Sequence, residues 1–104
     1  MAVVPEALLD EAARLFGLLA DPTRLRLIST LHDSEELSVG ELADRTGVSV
    51  ANASQHLNRL AGVGLLARRR EGKNVHYRIA DERIGQLCEI VCAGVRERAR
   101  LLLE

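Results

Sequence analysis

The sequence has 104 residues, 47% apolar and 28% charged, the make-up of one globular domain spanning 1–104 and not of a disordered segment. It contains no run of 18 apolar residues, and its N-terminus lacks the basic-then-apolar order of a signal peptide, so a cytoplasmic protein with no membrane partner is expected. The net charge of −1 is unevenly spread: between Ser49 and Arg78 lie Arg59, Arg68, Arg69, Arg70, Lys73 and Arg78 against one acid, Glu71. Such segregation is the pattern of a nucleic-acid face, or of a solvated hairpin rich in arginine. The two cysteines, without a secretory signal, read as thiols.

Residues 4 to 20 form a helix candidate with Leu8, Ala12, Leu15, Phe16 and Leu19 on one stripe. Asp21-Pro22 stops it and starts a second, because Asp is a good N-cap and Pro suits a first helical position, where no N–H is needed. Leu25, Ile28 and Leu31 are expected on its buried side, and residues 32–36 form a polar connector. Ser38-Val39-Gly40-Glu41 fits a capping box and opens a third helix that buries Leu42 and Ala43 and stops at Gly47. Ser49 caps a fourth, with Ala53, Leu57 and Leu60 inward and an end at Gly62 to Gly64. Helix, short turn, helix is the helix-turn-helix pattern, although any small helical bundle contains such corners.

A strand pair follows. Residues 65–69 and 75–79 are strand-like, with Val75, Tyr77 and Ile79 alternating with polar side chains, and Glu71-Gly72-Lys73-Asn74 supplies the turn. A basic hairpin directly after a helix-turn-helix makes a winged helix, its tip beside the DNA backbone. The last helix, from about Glu82 to Leu103 with Asp81 as cap, is roughly 33 Å long. Its stripe of Ile84, Leu87, Cys88, Val91, Cys92, Val95, Ala99 and Leu102 exceeds what one small domain needs for its own core. The expected fold is therefore mainly α with a small β-hairpin, a winged helix-turn-helix of five helices and a two-stranded wing, forming a homodimer through its N- and C-terminal helices.

The run Leu19-Ala20-Asp21-Pro22-Thr23-Arg24-Leu25-Arg26-Leu27-Ile28 resembles the signature second helix of the ArsR/SmtB metal-responsive repressors. Ser54-Gln55-His56-Leu57 with Leu60, Gly64-Leu65-Leu66, and Arg70-Glu71-Gly72-Lys73 through Tyr77 resemble the recognition helix and wing of the same family. The likeness covers nearly the whole chain in order. It implies a homodimeric repressor on an imperfectly palindromic duplex DNA operator, released when an effector binds. By position, the base readers it implies are Val50, Ala51, Ser54 and Gln55. Gln can pair with adenine through two hydrogen bonds, Ser can bond to several bases, and Ala or Val can touch a thymine methyl. Arg59, Arg68, Arg69, Arg70, Lys73 and Asn74 are phosphate or groove candidates, with Arg59 also free to pair with an acid of its own chain.

The effector positions depart from the family. Members that sense metal at the third helix carry cysteines in a Glu-Leu-Cys-Val-Cys-like run, where this chain has Glu36-Leu37-Ser38-Val39-Gly40. Members that sense zinc, cobalt or nickel at the last helix use an Asp-x-His pair and a later His with a Glu or His, where this chain has Asp81, Arg83, Gly94 and Glu97. His32, His56 and His76 are not spaced to chelate on one face. Cys88 and Cys92 remain, one helical turn apart. They are either small buried hydrophobes or, with an acid such as Glu89, a sensor. The effector is then nickel or zinc at an atypical site, a thiophilic metal or metalloid, or an oxidant. An enzyme is not expected, for the chain holds no phosphate loop, ligand cluster or nucleophile–base set. The remaining alternatives are a protein-interaction scaffold and a repressor without a metal response.

Overall fold

The computed structural model describes residues 3–103, which form five helices and three short strands. Helix α1 (Glu6–Leu19) follows Pro5 without a side-chain cap. Helix α2 (Pro22–His32) starts where expected, Asp21 accepting the Arg24 backbone N–H at 3.0 Å with Pro22 at the first position. Helix α3 (Val39–Thr46) carries the complete capping box: Ser38 Oγ accepts from the Glu41 N–H, and the Glu41 carboxylate accepts from the Ser38 N–H. It ends at Gly47, whose φ of 74° lies in the left-handed region that side chains avoid. Helix α4 (Val50–Gly62) is capped by Ser49, and α5 (Glu82–Leu102) by Asp81.

The sheet differs from a bare hairpin. Leu37–Ser38 forms a strand, β1, ahead of the wing strands β2 (Leu66–Glu71) and β3 (Asn74–Ile79), in the order β1-β3-β2. Leu37 faces Tyr77 and Ser38 faces His76, so the residues that enter α3 are stitched to the wing. The hairpin turn is tighter than the four residues expected, since Glu71 pairs with Asn74 and leaves Gly72 and Lys73 alone at the tip. Gly72 has a φ of 62°, as a two-residue hairpin with glycine first requires.

The core joins all these elements except most of α1 and α5. Leu27, Ile28 and Leu31 of α2, Leu42 of α3, and Ala53, Leu57 and Leu60 of α4 are essentially inaccessible, as is Tyr77 of β3. The inward phase of α2 is therefore Leu27, Ile28 and Leu31, and not the expected Leu25, Ile28 and Leu31. Leu25 is 36% exposed and lines an apolar cavity of about 230 Å³ with Phe16, Leu87 and Val91. In α5 only Ile84, Gly85 and Cys88 are buried. Val91, Val95 and Leu102 on the same stripe face solvent, as do Leu8 and Phe16 of α1. The radius of gyration is 15.4 Å, against about 13 Å for a compact domain of this length. The accessible surface is 7347 Å², against roughly 5,800 Å² for a folded monomer of such mass. Among the described residues no helix is long and apolar enough to cross a membrane.

Helix α5 is seated on α2 by one close approach. The His32 ring lies over Gly85, its Nε2 is 2.8 Å from a Glu89 carboxylate oxygen, and its Nδ1 is buried with no partner. A Cβ at Gly85 would meet the ring's Cγ at 2.9 Å and Cε1 at 3.0 Å, inside van der Waals contact. The helix-propensity gain of Gly85→Ala, about 1 kcal/mol, is outweighed by overpacking of about 1–3 kcal/mol, a net loss of roughly 1 kcal/mol. In a His32→Ala background the same substitution should stabilise instead. Urea denaturation of the four proteins checks the reversal, and a stabilised single variant would contradict the packing.

Candidate nucleic-acid interface

The turn from Gly47 to Ser49 joins α3 to α4 and leaves the first turns of α4 open to solvent. With Ala53, Leu57 and Leu60 inward, the 100° step of a helix puts Val50, Ala51, Gln55 and Arg59 in solvent and leaves Ser54 half-buried. Val50 is 58% exposed. The base-reading candidates thus share one end of one helix, and Arg59 continues their surface a turn further on.

The wing sorts its arginines by strand alternation. Leu66 faces Ile79 on the core side, so Arg68, opposite the buried Tyr77, and Arg70, opposite Val75, belong to that side of the sheet while remaining exposed. Arg69 points to the other side. There its guanidinium meets Glu36 at 2.6 Å and Glu71 at 2.7 Å. Those hydrogen bonds hold Glu36 and Glu71 below the usual carboxylate range and raise Arg69. Arg69 is thus engaged within the chain. Arg59, Arg68, Arg70 and Lys73 have no acid partner among the described residues, and Asn74 is exposed beside Lys73 at the tip.

Residues to which the sequence assigned no such role hold α4 in place. Arg24 of α2 donates through Nε to His56 Nδ1 at 3.2 Å and through Nη1 to the Leu18 carbonyl at 3.2 Å. Tyr77 of β3 donates its hydroxyl to Asn58 Oδ1 at 2.6 Å. The signal for Tyr77 was its strand position, because a tyrosine facing inward needs a partner for its O–H.

A family described as "Helix-turn-helix domain" matches residues 19–69. The chain is similar to a probable mercury resistance operon repressor of Streptomyces lividans, 38% identical over 86 residues, which cover 83% of this chain and 68% of that protein. Its fold is similar to that of AntR, an antimony-specific transcriptional repressor, with a TM-score of 0.89, 34% identity and coverage of 96% and 90% of the two chains. It is also similar to a homodimeric winged helix-turn-helix DNA-binding domain from Mycobacterium bovis, described as a possible ArsR-family transcriptional regulator, with a TM-score of 0.75, 36% identity and coverage of 93% and 92%. The chain belongs to the ArsR/SmtB family. Proteins of the ArsR/SmtB family are transcriptional regulators, not enzymes.

At the two carboxylates that the resemblance matches to last-helix effector positions, the structure shows ion pairs within the chain. Asp81 caps α5 and accepts two hydrogen bonds from the Arg83 guanidinium, at 2.9 Å each, which hold its carboxyl below the usual range. Glu97 pairs with Arg100 at 2.6 Å and is lowered likewise. Glu36, at the head of the third-helix run, is held by Arg69. Cys88 is buried, and burial, then the neighbouring Cys92, pushes its thiol up; Cys92 is exposed. Both line a cavity of about 320 Å³ with His32, Asp33, Glu89 and Arg96. Among the described residues no three His, Cys, Asp or Glu side chains converge to hold a metal ion within one copy.

Proposed function

We propose that two copies of the chain pair through α1 and α5 and bind an operator as a repressor, each copy laying α4 in the major groove and its wing along the backbone. One observation carries the reading: α4 and the wing that follows it expose Arg59, Arg68, Arg70 and Lys73, cations with no acid partner among the described residues. Cations in that setting neutralise phosphates and release counterions. Gln55 and Ser54 read base edges, Val50 and Ala51 meet thymine methyls, and Arg59, Arg68, Arg70, Lys73 and Asn74 contact backbone or groove. Arg69, tied to Glu36 and Glu71, serves the interface by bracing the wing. The exposed apolar side chains of α1 and α5 and the roughly 1,500 Å² of accessible surface beyond a monomer's norm support the pairing, since a standard interface hides about 800 Å² per partner.

The effector acts at Cys88 and Cys92. Both thiols sit on the helix assigned to the dimer seam, so two copies bring four together, a soft donor set. Two of the similar proteins are a probable mercury resistance operon repressor and an antimony-specific repressor, and both elements are thiophilic. Nickel or zinc at an atypical site is the next effector class. Thiol oxidation at the same pair is the third class. Binding along the seam changes the angle between the two α4 helices and loosens the operator.

Hydroxyl-radical footprinting on a duplex enriched from a random-sequence pool should show two protected half-sites about 34 Å apart, related by a dyad. Gln55→Ala should cost about 1–3 kcal/mol at one base position per half-site. A single continuous footprint without a dyad would overturn the dimeric reading. Arsenite, mercury(II), nickel(II) and zinc(II), titrated against the complex, should include one ion that releases the parent and leaves a Cys88→Ser/Cys92→Ser variant bound. Release of both proteins at the same ion concentration would remove the thiols from the mechanism.

A further inference from the structure

We propose that α4 is set in roll about its own axis by a hydrogen-bond clamp with one jaw on each flank, and that Arg24, His56, Asn58 and Tyr77 are positioning residues for base recognition. The inference rests on the DNA-reading proposal above and concerns how that reading is aimed.

Leu57 marks the centre of the buried face of α4 and is inaccessible. Its neighbours His56 and Asn58 therefore lie about 100° to either side of it. Each is gripped by a different element: His56 Nδ1 accepts from Arg24 of α2 at 3.2 Å, and Asn58 Oδ1 accepts from Tyr77 of β3 at 2.6 Å. Neither donor is free to follow the helix. Arg24 is fixed at the head of α2 by the Asp21 cap and reaches the end of α1 through the Leu18 carbonyl. The ring of Tyr77 is 1% exposed, and its strand is paired on both sides. Because an arginine Nε always carries its proton, His56 must present a lone pair at Nδ1, which assigns the ring hydrogen of the neutral imidazole to Nε2.

The apolar seat cannot do this by itself. Burial of Ala53, Leu57 and Leu60 fixes the depth of the helix, but apolar attraction has no direction and tolerates roll. A roll of about 20° carries a side-chain tip some 6 Å from the axis through about 2 Å. Paired hydrogen bonds to a base edge lose their geometry over a much smaller displacement. Two directional bonds on opposite flanks resist roll in both senses. Phosphate contacts from long, flexible arginines absorb the same movement. The clamp therefore bears on discrimination between sequences more than on affinity for DNA in general.

The test measures two affinities for each protein: for a duplex that the parent enriches from a random-sequence pool, and for that duplex with its core bases scrambled. Tyr77→Phe removes only the hydroxyl, His56→Leu removes the acceptor, and His56→Asn keeps an acceptor close to the Nδ1 position. Tyr77→Phe and His56→Leu should each lower the ratio of the two affinities about tenfold, the loss of one base contact, with scrambled-duplex binding unchanged and His56→Asn near the parent. Simple destabilisation moves both affinities together and leaves the ratio alone. If His56→Leu does not fold, Tyr77→Phe and His56→Asn decide the matter. A parent ratio retained in Tyr77→Phe refutes the clamp while leaving the DNA reading intact, and a parent that discriminates between no duplexes refutes both.

Discussion

Helix α4 depends on the complete burial of Ala53, Leu57 and Leu60. At 13 residues α4 is too short to persist alone in water, so its order comes from that stripe. Leu57 and Leu60 contribute about 1.5–3 kcal/mol each by leaving water. The same three residues dictate what the helix exposes, because every side chain that reads bases must stand on the faces they leave. Depth is set by the apolar seat, roll by the hydrogen bonds of His56 and Asn58, and the approach of the wing by the sheet that carries Tyr77. One residue, Tyr77, belongs to the core, the wing and the clamp together.

The short strand β1 changes how the wing is understood. Leu37–Ser38 pairs with β3, and Glu36 just before it reaches over that strand to Arg69 on β2. The run that resembles a metal-holding segment in other ArsR/SmtB proteins is here a strand, an ion pair and a helix cap. Asp81 and Glu97, the carboxylates left at the last-helix positions, are likewise held by Arg83 and Arg100. Arg69, Arg83 and Arg100 thus pair with these three acids, and Cys88 and Cys92 are the two thiols of the chain.

Features governed by neighbouring residues were legible in the sequence. The caps at Asp21, Ser38, Ser49 and Asp81, the stop at Gly47 and the buried stripe of α4 all stand where expected, because each is decided within about one turn of chain. Features decided by distant partners were not. A two-residue strand carries no periodicity, and its pairing with Tyr77 and His76 lies some 40 residues away. The phase of α2 departs from the expected one at one position because Leu25 and Leu27 lie on different faces and both meet apolar surroundings, Leu27 in the core and Leu25 beside Phe16 and Leu87. Arg69 looked like its neighbours Arg68 and Arg70 until strand alternation put it on the side of Glu36. The stripe of α5 was visible as a stripe, but only the structure shows that its own core takes no more than the first two turns.

Whether this surface meets DNA through charge and reads it through α4 is the central question. The salt dependence of binding to a duplex enriched from a random pool tests both parts at once. A plot of log affinity against log salt should fall with a slope of about −0.9 per phosphate neutralised, several phosphates in all, and affinity for the enriched duplex should exceed that for a scrambled one throughout. Millimolar affinity for every duplex at low salt, with no slope, would contradict the account and make the winged helix a scaffold for another protein.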